Sequence, residues 1–277
     1  MTGVQTCALP IHVLFPSHDR PKEEKGKEEL EPAKDENNDK SIFVADANTP
    51  TGNKNASKYY FPPTPDEDPI NGLNQNVYAT AVGHPSSSEI NTFMKEMEPT
   101  VLRFARKYNL PASVIMAMAI LESGYGYSRT AIFANNFFGI KQWKKGSDAY
   151  QLKGQPNEDK GYLKIMKKTT TGQFIYEENI RKDNWYKKFA SKEECIKFLV
   201  EDVFLHKTGQ WKRDYSNVVR NYQRQIQSGV SKSNAAYDFA FMLGERGYNH
   251  LGGKYYATKT MKIIEKYNLL QLDQGRL

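Results

Sequence analysis

Apolar residues fall into a helical rhythm only from about residue 86 onward. Ile90, Phe93, Met94, Met97, Val101, Phe104 and Ala105 recur three or four positions apart, as on one face of an amphipathic helix, behind Ser86-Ser87-Ser88-Glu89, whose hydroxyls suit an N-cap. Pro99 lies inside this stretch, so a break or kink is expected there. Asn109-Leu110 ends the helix, and Pro111 opens a second one filled by Ala112, Val114, Ile115, Met118 and Ala119. The unbroken apolar run Val114 to Leu121 predicts that this helix is buried on all sides. No apolar run in the chain is longer, and this one is far short of the roughly 20 residues that cross a bilayer. Between 142 and 189 the pattern changes. Tyr150, Tyr162, Leu163, Ile165 and Phe174-Ile175-Tyr176 stand between Gly146, Gly154, Gly161 and Gly172, which reads as short strands and turns. Helical periodicity returns after Ser191-x-x-Glu194, a capping box ahead of Ile196, Leu199, Val200, Val203 and Phe204. Further helices are expected near 215–228, 232–246 and 254–268.

Composition and charge divide the chain at the place where the rhythm starts. Ten of the 13 prolines fall in residues 1–85. Of 39 Lys+Arg and 32 Asp+Glu, the first 82 residues hold 8 and 13, which leaves 31 against 19, a net +12, for the rest. Asp19 to Lys40 has almost no large apolar residue and cannot offset chain entropy by burial. Residues 12–85 are therefore expected to be a disordered acidic, Pro-rich linker. Thr2 to Ile11 resembles the translation of a sequencing adapter, so residues 1–11 are expected to be an artefact, and the absence of a visible signal peptide carries no weight. Of the two cysteines, Cys7 falls in that segment, leaving Cys195, expected to be buried packing. A zinc-thiolate cluster and a disulfide scaffold are excluded, His206 and His250 lack metal-ligand spacing, and neither a metal nor a cofactor is expected.

Glu122 is the candidate for chemistry. It follows the apolar run directly and is followed by Ser123-Gly124-Tyr125-Gly126, whose two glycines stop the helix. Desolvation at such a point raises a carboxyl pKa and keeps a proton available near neutral pH, as general acid catalysis requires. Spacing alone leaves equal room for an ordinary exposed Glu at a helix C-terminus.

Asn135-Asn136-Phe137-Phe138-Gly139-Ile140-Lys141 adds to it. With Ala119-Ile120-Leu121-Glu122-Ser123-Gly124-Tyr125-Gly126, it resembles the glucosaminidase family of peptidoglycan hydrolases, in which Tyr125 stands where Trp is usual. The resemblance continues through Tyr186-Lys187-Lys188-Phe189-Ala190-Ser191 and, near the C-terminus, Gly247-Tyr248, Tyr256-Ala257-x-Lys259 and Tyr267-Asn268-Leu269. It implies a lysozyme-like α+β fold, with a mostly helical body, a small β-lobe and a glycan groove between them, and makes residues 86–277 the catalytic domain. It also implies hydrolysis of the β-1,4 bond after N-acetylglucosamine, with Glu122 as general acid.

The group opposite Glu122 is less determined. Many members carry a second Glu in the β-lobe, which the comparable stretch Thr169 to Gln173 lacks. Glu177 and Glu178 are candidates, each otherwise an exposed strand or loop carboxylate. The substrate acetamide is the alternative nucleophile, with Tyr248 to orient it. Asn135, Asn136, Phe137, Phe138, Tyr125 and Tyr256 are the expected substrate contacts. Trp143, Trp185 and Trp211 are expected in core packing. The implied partner is a peptidoglycan glycan strand acted on by a secreted or envelope-facing monomer. Net +12 also leaves room for a basic nucleic-acid-binding module, although no nucleic-acid signature occurs, and a non-catalytic wall-binding domain of the same fold is a further rival.

Overall fold

The computed structural model describes residues 85–142, 144–154, 163–168, 174–206 and 213–274, with all side chains but those of Lys167, Phe174 and Ile175. The adapter-like start, all but the last residue of the linker expected over 12–85, Trp143, Tyr162, the stretch 169–173 and Trp211 lie outside the described residues.

Helix α1 (Ser87–Tyr108) starts at a complete capping box: Glu89 N–H donates to Ser86 Oγ, and Ser86 N–H donates to Glu89 Oε2 at 2.8 Å. It buries Met97, Val101, Phe104 and Ala105, the inward positions of the predicted face, and ends at Asn109 in the left-handed conformation. Of the break or kink expected at Pro99, the break does not occur, because the helix runs through it. Pro99 sits on the exposed side, where the carbonyl that loses its donor can turn to water.

Helix α2 (Ala112–Ser123) is buried all round, as its apolar run predicts, between α1, α6, α7 and a C-terminal 3-10 segment, Leu269–Gln274. Asp273 in that segment accepts from Ser113 N–H at 3.0 Å and from the Ser113 hydroxyl, supplying a carboxylate to the α2 N-terminus. Helix α3 (Arg129–Ala134) is capped by Ser128, which accepts from Ala131 N–H at 3.1 Å.

The β-lobe holds two antiparallel pairs. Strands β1 (Ala149–Gln151) and β4 (Trp185–Lys187) pair with Tyr150 opposite Tyr186, and β2 (Ile165–Lys168) pairs with β3 (Phe174–Tyr176) with a register shift between Ile165 and Lys167. A β-bridge between Lys141 and Tyr186 helps tie the lobe to the segment leaving α3. The apolar core of the lobe is small: Ala134, Tyr150, Leu152 and Tyr186, with Phe133 against it.

Helix α4 (Lys192–Phe198) begins at Ser191, which accepts from Glu194 N–H; the Glu194 carboxylate reaches back to Ala190 N–H at 3.0 Å. The chain then widens into a π-helical turn, Leu199–Phe204, closed by Leu205 N–H on the Val200 carbonyl, which turns Leu199, Val200, Val203 and Phe204 all inward. Helices α5 (Ser216–Gln227), α6 (Lys232–Glu245) and α7 (Gly253–Lys266) follow within two residues of the predicted spans. At the start of α7 a Cβ on Gly244 would lie 2.7 Å from Gly253 Cα, and one on Gly253 only 2.5 Å from the Phe241 carbonyl oxygen. Only a pair of glycines lets these backbones approach so closely, and that contact sets the start of α7 against the end of α6. The result is the expected α+β architecture: a mostly helical body carrying a small β-lobe. No helix among the described residues is long and apolar enough to cross a membrane.

Candidate active site

Three consecutive left-handed residues, Gly124 (φ 55°), Tyr125 (φ 58°) and Gly126 (φ 81°), terminate α2. Tyr125 is the unusual member, since a side chain at positive φ is strained. Ser123 stabilises the turn: its hydroxyl donates to the Ala119 carbonyl and accepts from Gly126 N–H at 2.8 Å. Packing closes it from outside, because Gly126 lies against the Phe93 ring, where a Cβ would come within 3.2 Å.

This turn holds Glu122 in the interior, with 2% of its surface exposed. Its Oε1 accepts a hydrogen bond from the Tyr256 hydroxyl of α7 at 3.2 Å. Burial pushes the carboxyl pKa up to about 8, and the Tyr256 bond offsets part of that rise by favouring the anion. The C-terminal end of the α2 dipole also disfavours a negative charge here. Glu122 therefore carries its proton at neutral pH, and the reading of an exposed helix-terminal Glu is ruled out.

The tyrosines behind it form a stack. Tyr256 and Tyr248 have ring centroids 5.5 Å apart, and Tyr248 meets Tyr215 edge-on at 6.1 Å. All three rings are buried. Burial holds the Tyr248 and Tyr256 hydroxyls far above the usual tyrosine range, and the nearby Glu122 pushes both in the same direction. The Tyr248 hydroxyl has no hydrogen-bond partner among the described residues, an uncommon state for a buried polar atom.

A second aromatic group stands on the other side of the turn. Tyr125 bonds hydroxyl to hydroxyl with Tyr267 at 2.7 Å, and its ring meets Phe93 and Tyr267 edge-on. Phe93 in turn lies 6.1 Å from Phe137. All four rings are partly exposed. Tyr127, the residue directly after the turn, donates to Glu89 Oε1 at 2.7 Å and so links the turn to the α1 cap.

The remaining expected substrate contacts are committed inside the protein. Asn136 is fully buried; its amide donates to the Ile140 and Lys187 carbonyls, both at 2.8 Å, and accepts from Ile140 N–H at 2.9 Å. With both amide hydrogens used, it frames the Phe137–Gly139 turn and has none left for an acetamide. Asn135 caps α3 in the left-handed conformation and donates to the Phe189 carbonyl at 3.0 Å. Phe138 lies in the helical core, with no free face for a sugar. Cys195 is buried near the Phe137 and Phe138 amides, which temper a rise that still takes its thiol to about 12, so it is inert packing as expected.

Glu178 departs from the expected exposed carboxylate. It is buried in the lobe, where it accepts from Gly154 N–H at 2.7 Å and from the Asn184 amide at 2.7 Å, with Arg181 Nη1 at 3.5 Å. Arg181 makes a two-pronged bond with Asp183, at 2.9 and 2.6 Å. Burial raises the Glu178 pKa, and Gly154 and Arg181 oppose the rise. Glu177 is partly exposed and pairs with Lys164 at 2.6 Å. Neither glutamate perturbs the ionisation of Glu122. Trp185 is only partly buried, in β4, where its indole N–H donates to the Arg181 carbonyl at 2.8 Å.

Sequence reasoning set Tyr256 among the sugar contacts, whereas its hydroxyl points at Glu122. Tyr215 and Tyr267 carried no signal of their own, although Tyr267 lies in the C-terminal motif. His206 and His250 gather no metal-binding group, and none of three or more such residues exists among the described residues.

Comparison with solved structures finds the catalytic domain of the autolysin Auto from Listeria monocytogenes, 22% identical, with a TM-score of 0.45, over 68% of this chain and 89% of that one. An N-acetylmuramoyl-L-alanine amidase from Staphylococcus aureus is 20% identical, TM-score 0.43, over 69% of this chain and 45% of that one. A peptidoglycan hydrolase mutant from Sphingomonas sp. A1 is 20% identical, TM-score 0.36, over 67% and 99%. No curated protein matches the sequence. Residues 98–269, more than half of the chain, match the model of a glycoside hydrolase family, Glucosaminidase, described as mannosyl-glycoprotein endo-beta-N-acetylglucosaminidase, and the chain belongs to that family.

Proposed function

We propose that this chain is a peptidoglycan hydrolase that cleaves the β-1,4 bond after N-acetylglucosamine, with Glu122 as general acid. The observation that carries the reading is the burial of the Glu122 carboxyl at the end of α2, where it is hydrogen-bonded to Tyr256; burial raises its pKa to about 8 and favours the protonated form. Family membership supports the bond type. In the first step the Glu122 proton passes to the glycosidic oxygen as the C1–O bond breaks and positive charge develops at C1. The acetamide carbonyl of the same sugar closes on C1 in place of a protein nucleophile. We assign its orientation to Tyr248, whose hydroxyl lacks a partner among the described residues. Water then opens the cyclic intermediate and returns a proton to Glu122.

Glu177 and Glu178 have no part in this mechanism: one is spent on Lys164 and the other on the lobe network. Tyr125 and Phe137, partly exposed beside the Glu122 turn, are assigned to sugar stacking. Residues 86–277 form the catalytic unit, acting as a monomer outside the cytoplasm or in the cell envelope, where the polymer is found.

General acid catalysis is worth about 10²–10⁴ in rate, so Glu122→Gln is expected to lose clearing of purified cell walls by that factor. Persistent clearing overturns the assignment. Mass spectrometry of the products decides the bond: new reducing ends on N-acetylglucosamine support it, and ends on N-acetylmuramic acid refute it.

A further inference from the structure

Helix α7 passes across the end of α2 and is pinned to it at two points. Near its start Tyr256 donates to Glu122, and just past its end Tyr267 bonds to Tyr125 in the turn after Glu122. Between these pins, Tyr255, Lys259, Ile263 and Tyr267 recur every four residues. Side chains at that spacing are neighbours on one ridge of a helix. All four are partly buried, while Tyr256, Ala257, Thr260, Met261 and Ile264 face the core. A continuous half-buried ridge, aromatic at both ends, therefore runs alongside the Glu122 turn.

Its middle is a cation. The Lys259 ammonium stands 5.6 Å from the centre of the Tyr255 ring. No acidic side chain pairs with it among the described residues. Burial raises the Tyr255 hydroxyl pKa, and an ionised Glu122 adds to the rise. An ammonium held over a ring within one turn of Tyr256, the residue that donates to Glu122, and with no carboxylate of its own, is arranged to meet an anion that arrives with the substrate.

We propose that the Tyr255–Lys259–Tyr267 ridge forms one wall of the substrate groove, and that Lys259 selects carboxylate-bearing glycan strands over neutral ones. The inference rests on the proposed glycosidase reading and adds a specificity element to it. In peptidoglycan the carboxylate has two sources: the peptide attached to the lactyl ether, or the lactyl group itself once that peptide is removed. Both present the same chemistry to Lys259.

The test compares kcat/KM on three substrates: peptide-bearing strands, strands stripped of peptide and neutral β-1,4 N-acetylglucosamine oligomers. With Lys259→Gln, the preference for carboxylate-bearing over neutral strands is expected to fall about tenfold, through KM, as for one lost charge-assisted contact. Lys259→Arg restores the preference, and Lys262→Gln, one turn away on the exposed side, does not alter it. A fall confined to peptide-bearing strands assigns the peptide carboxylate, and one that extends to stripped strands the lactyl group. An unchanged ratio in Lys259→Gln overturns the inference. Should wild-type protein cleave none of the three, the glycosidase reading fails by itself. Binding of the same strands by Glu122→Gln, with and without Lys259→Gln, then decides: an equal loss on charged and neutral strands, or none, refutes the role of Lys259.

Discussion

In the helical body Glu122 is the one buried acidic side chain among the described residues, and its known hydrogen-bond partner is a tyrosine; in the β-lobe Glu178 and Asp183 are buried with Arg181 and Asn184 between them. The two regions handle a buried carboxyl in opposite ways. The body withholds compensating charge, and Glu122 keeps its proton. The lobe supplies a guanidinium, an amide and a backbone N–H, so its carboxylates act as crosslinks. The contrast follows from size: α2 is enclosed by a large apolar core, whereas the buried apolar cluster of the lobe is, among the described residues, Ala134, Tyr150, Leu152 and Tyr186, and polar bonds help hold its strands. The lobe also borrows Lys141, fully buried, whose ammonium donates to the Asp183 carbonyl at 2.6 Å and lies 4.2 Å over the Tyr186 ring.

The sharpest way to break this comparison is to remove the guanidinium. Arg181→Met takes the guanidinium away from two buried carboxylates, and losing one partner of a buried pair costs up to about 3–5 kcal/mol. The loss is expected in the lobe: amide hydrogen exchange should accelerate in β1 and β4 while α2 keeps its protection. Equal loss in α2 would show that the two regions are one cooperative unit.

Next in size is the pH response of the body. The Glu122 pKa is raised in the folded state from 4.5 to about 8, so the folded chain holds a proton that the unfolded chain releases between those values. Stability is therefore fullest below pH 4.5 and falls as pH rises toward 8, by on the order of 4 kcal/mol for this group. Denaturant titrations at pH 5 and pH 8 check it; Glu122→Gln should flatten the dependence, and Arg181→Met should leave it in place.

Smaller effects sharpen the picture. Ser86→Ala removes the α1 cap and should lower body stability by about 1 kcal/mol in the same titrations, with no change in lobe exchange. Tyr256→Phe deletes the bond that favours the Glu122 anion, so the alkaline limb of the activity profile should move upward by less than about one pH unit. A downward move would mean that Tyr256 supports the protonated form instead.

The body was readable because each of its helices writes its burial into sequence. Met97, Val101 and Phe104 keep the α1 period, Ser86 and Ser191 announce their caps, and the α2 run admits no exposed face. Glu122 stood out for the same reason, as a charge placed against that run. Pro99 misled because its cost depends on which side of the helix it occupies, which a proline alone does not state. The lobe was readable only as short strands. Glu178 looked like an exposed carboxylate because Arg181, Asp183 and Asn184 could equally have been a solvated loop, and their mutual bonds appear only once Gly154 is folded beside them. Tyr256 and Asn136 share that difficulty: the motif identifies each residue, and the partner of its polar group lies far away in the chain.

Cys195 turns the body into a reporter on itself. Its thiol is sealed behind the Phe137–Phe138 segment and titrates only at about 12, so a thiol-reactive dye in neutral buffer meets it only when the body opens. With Cys7 replaced by Ser, a single labelling rate would time those openings at the framework that supports the Glu122 turn, without an added probe or any use of substrate.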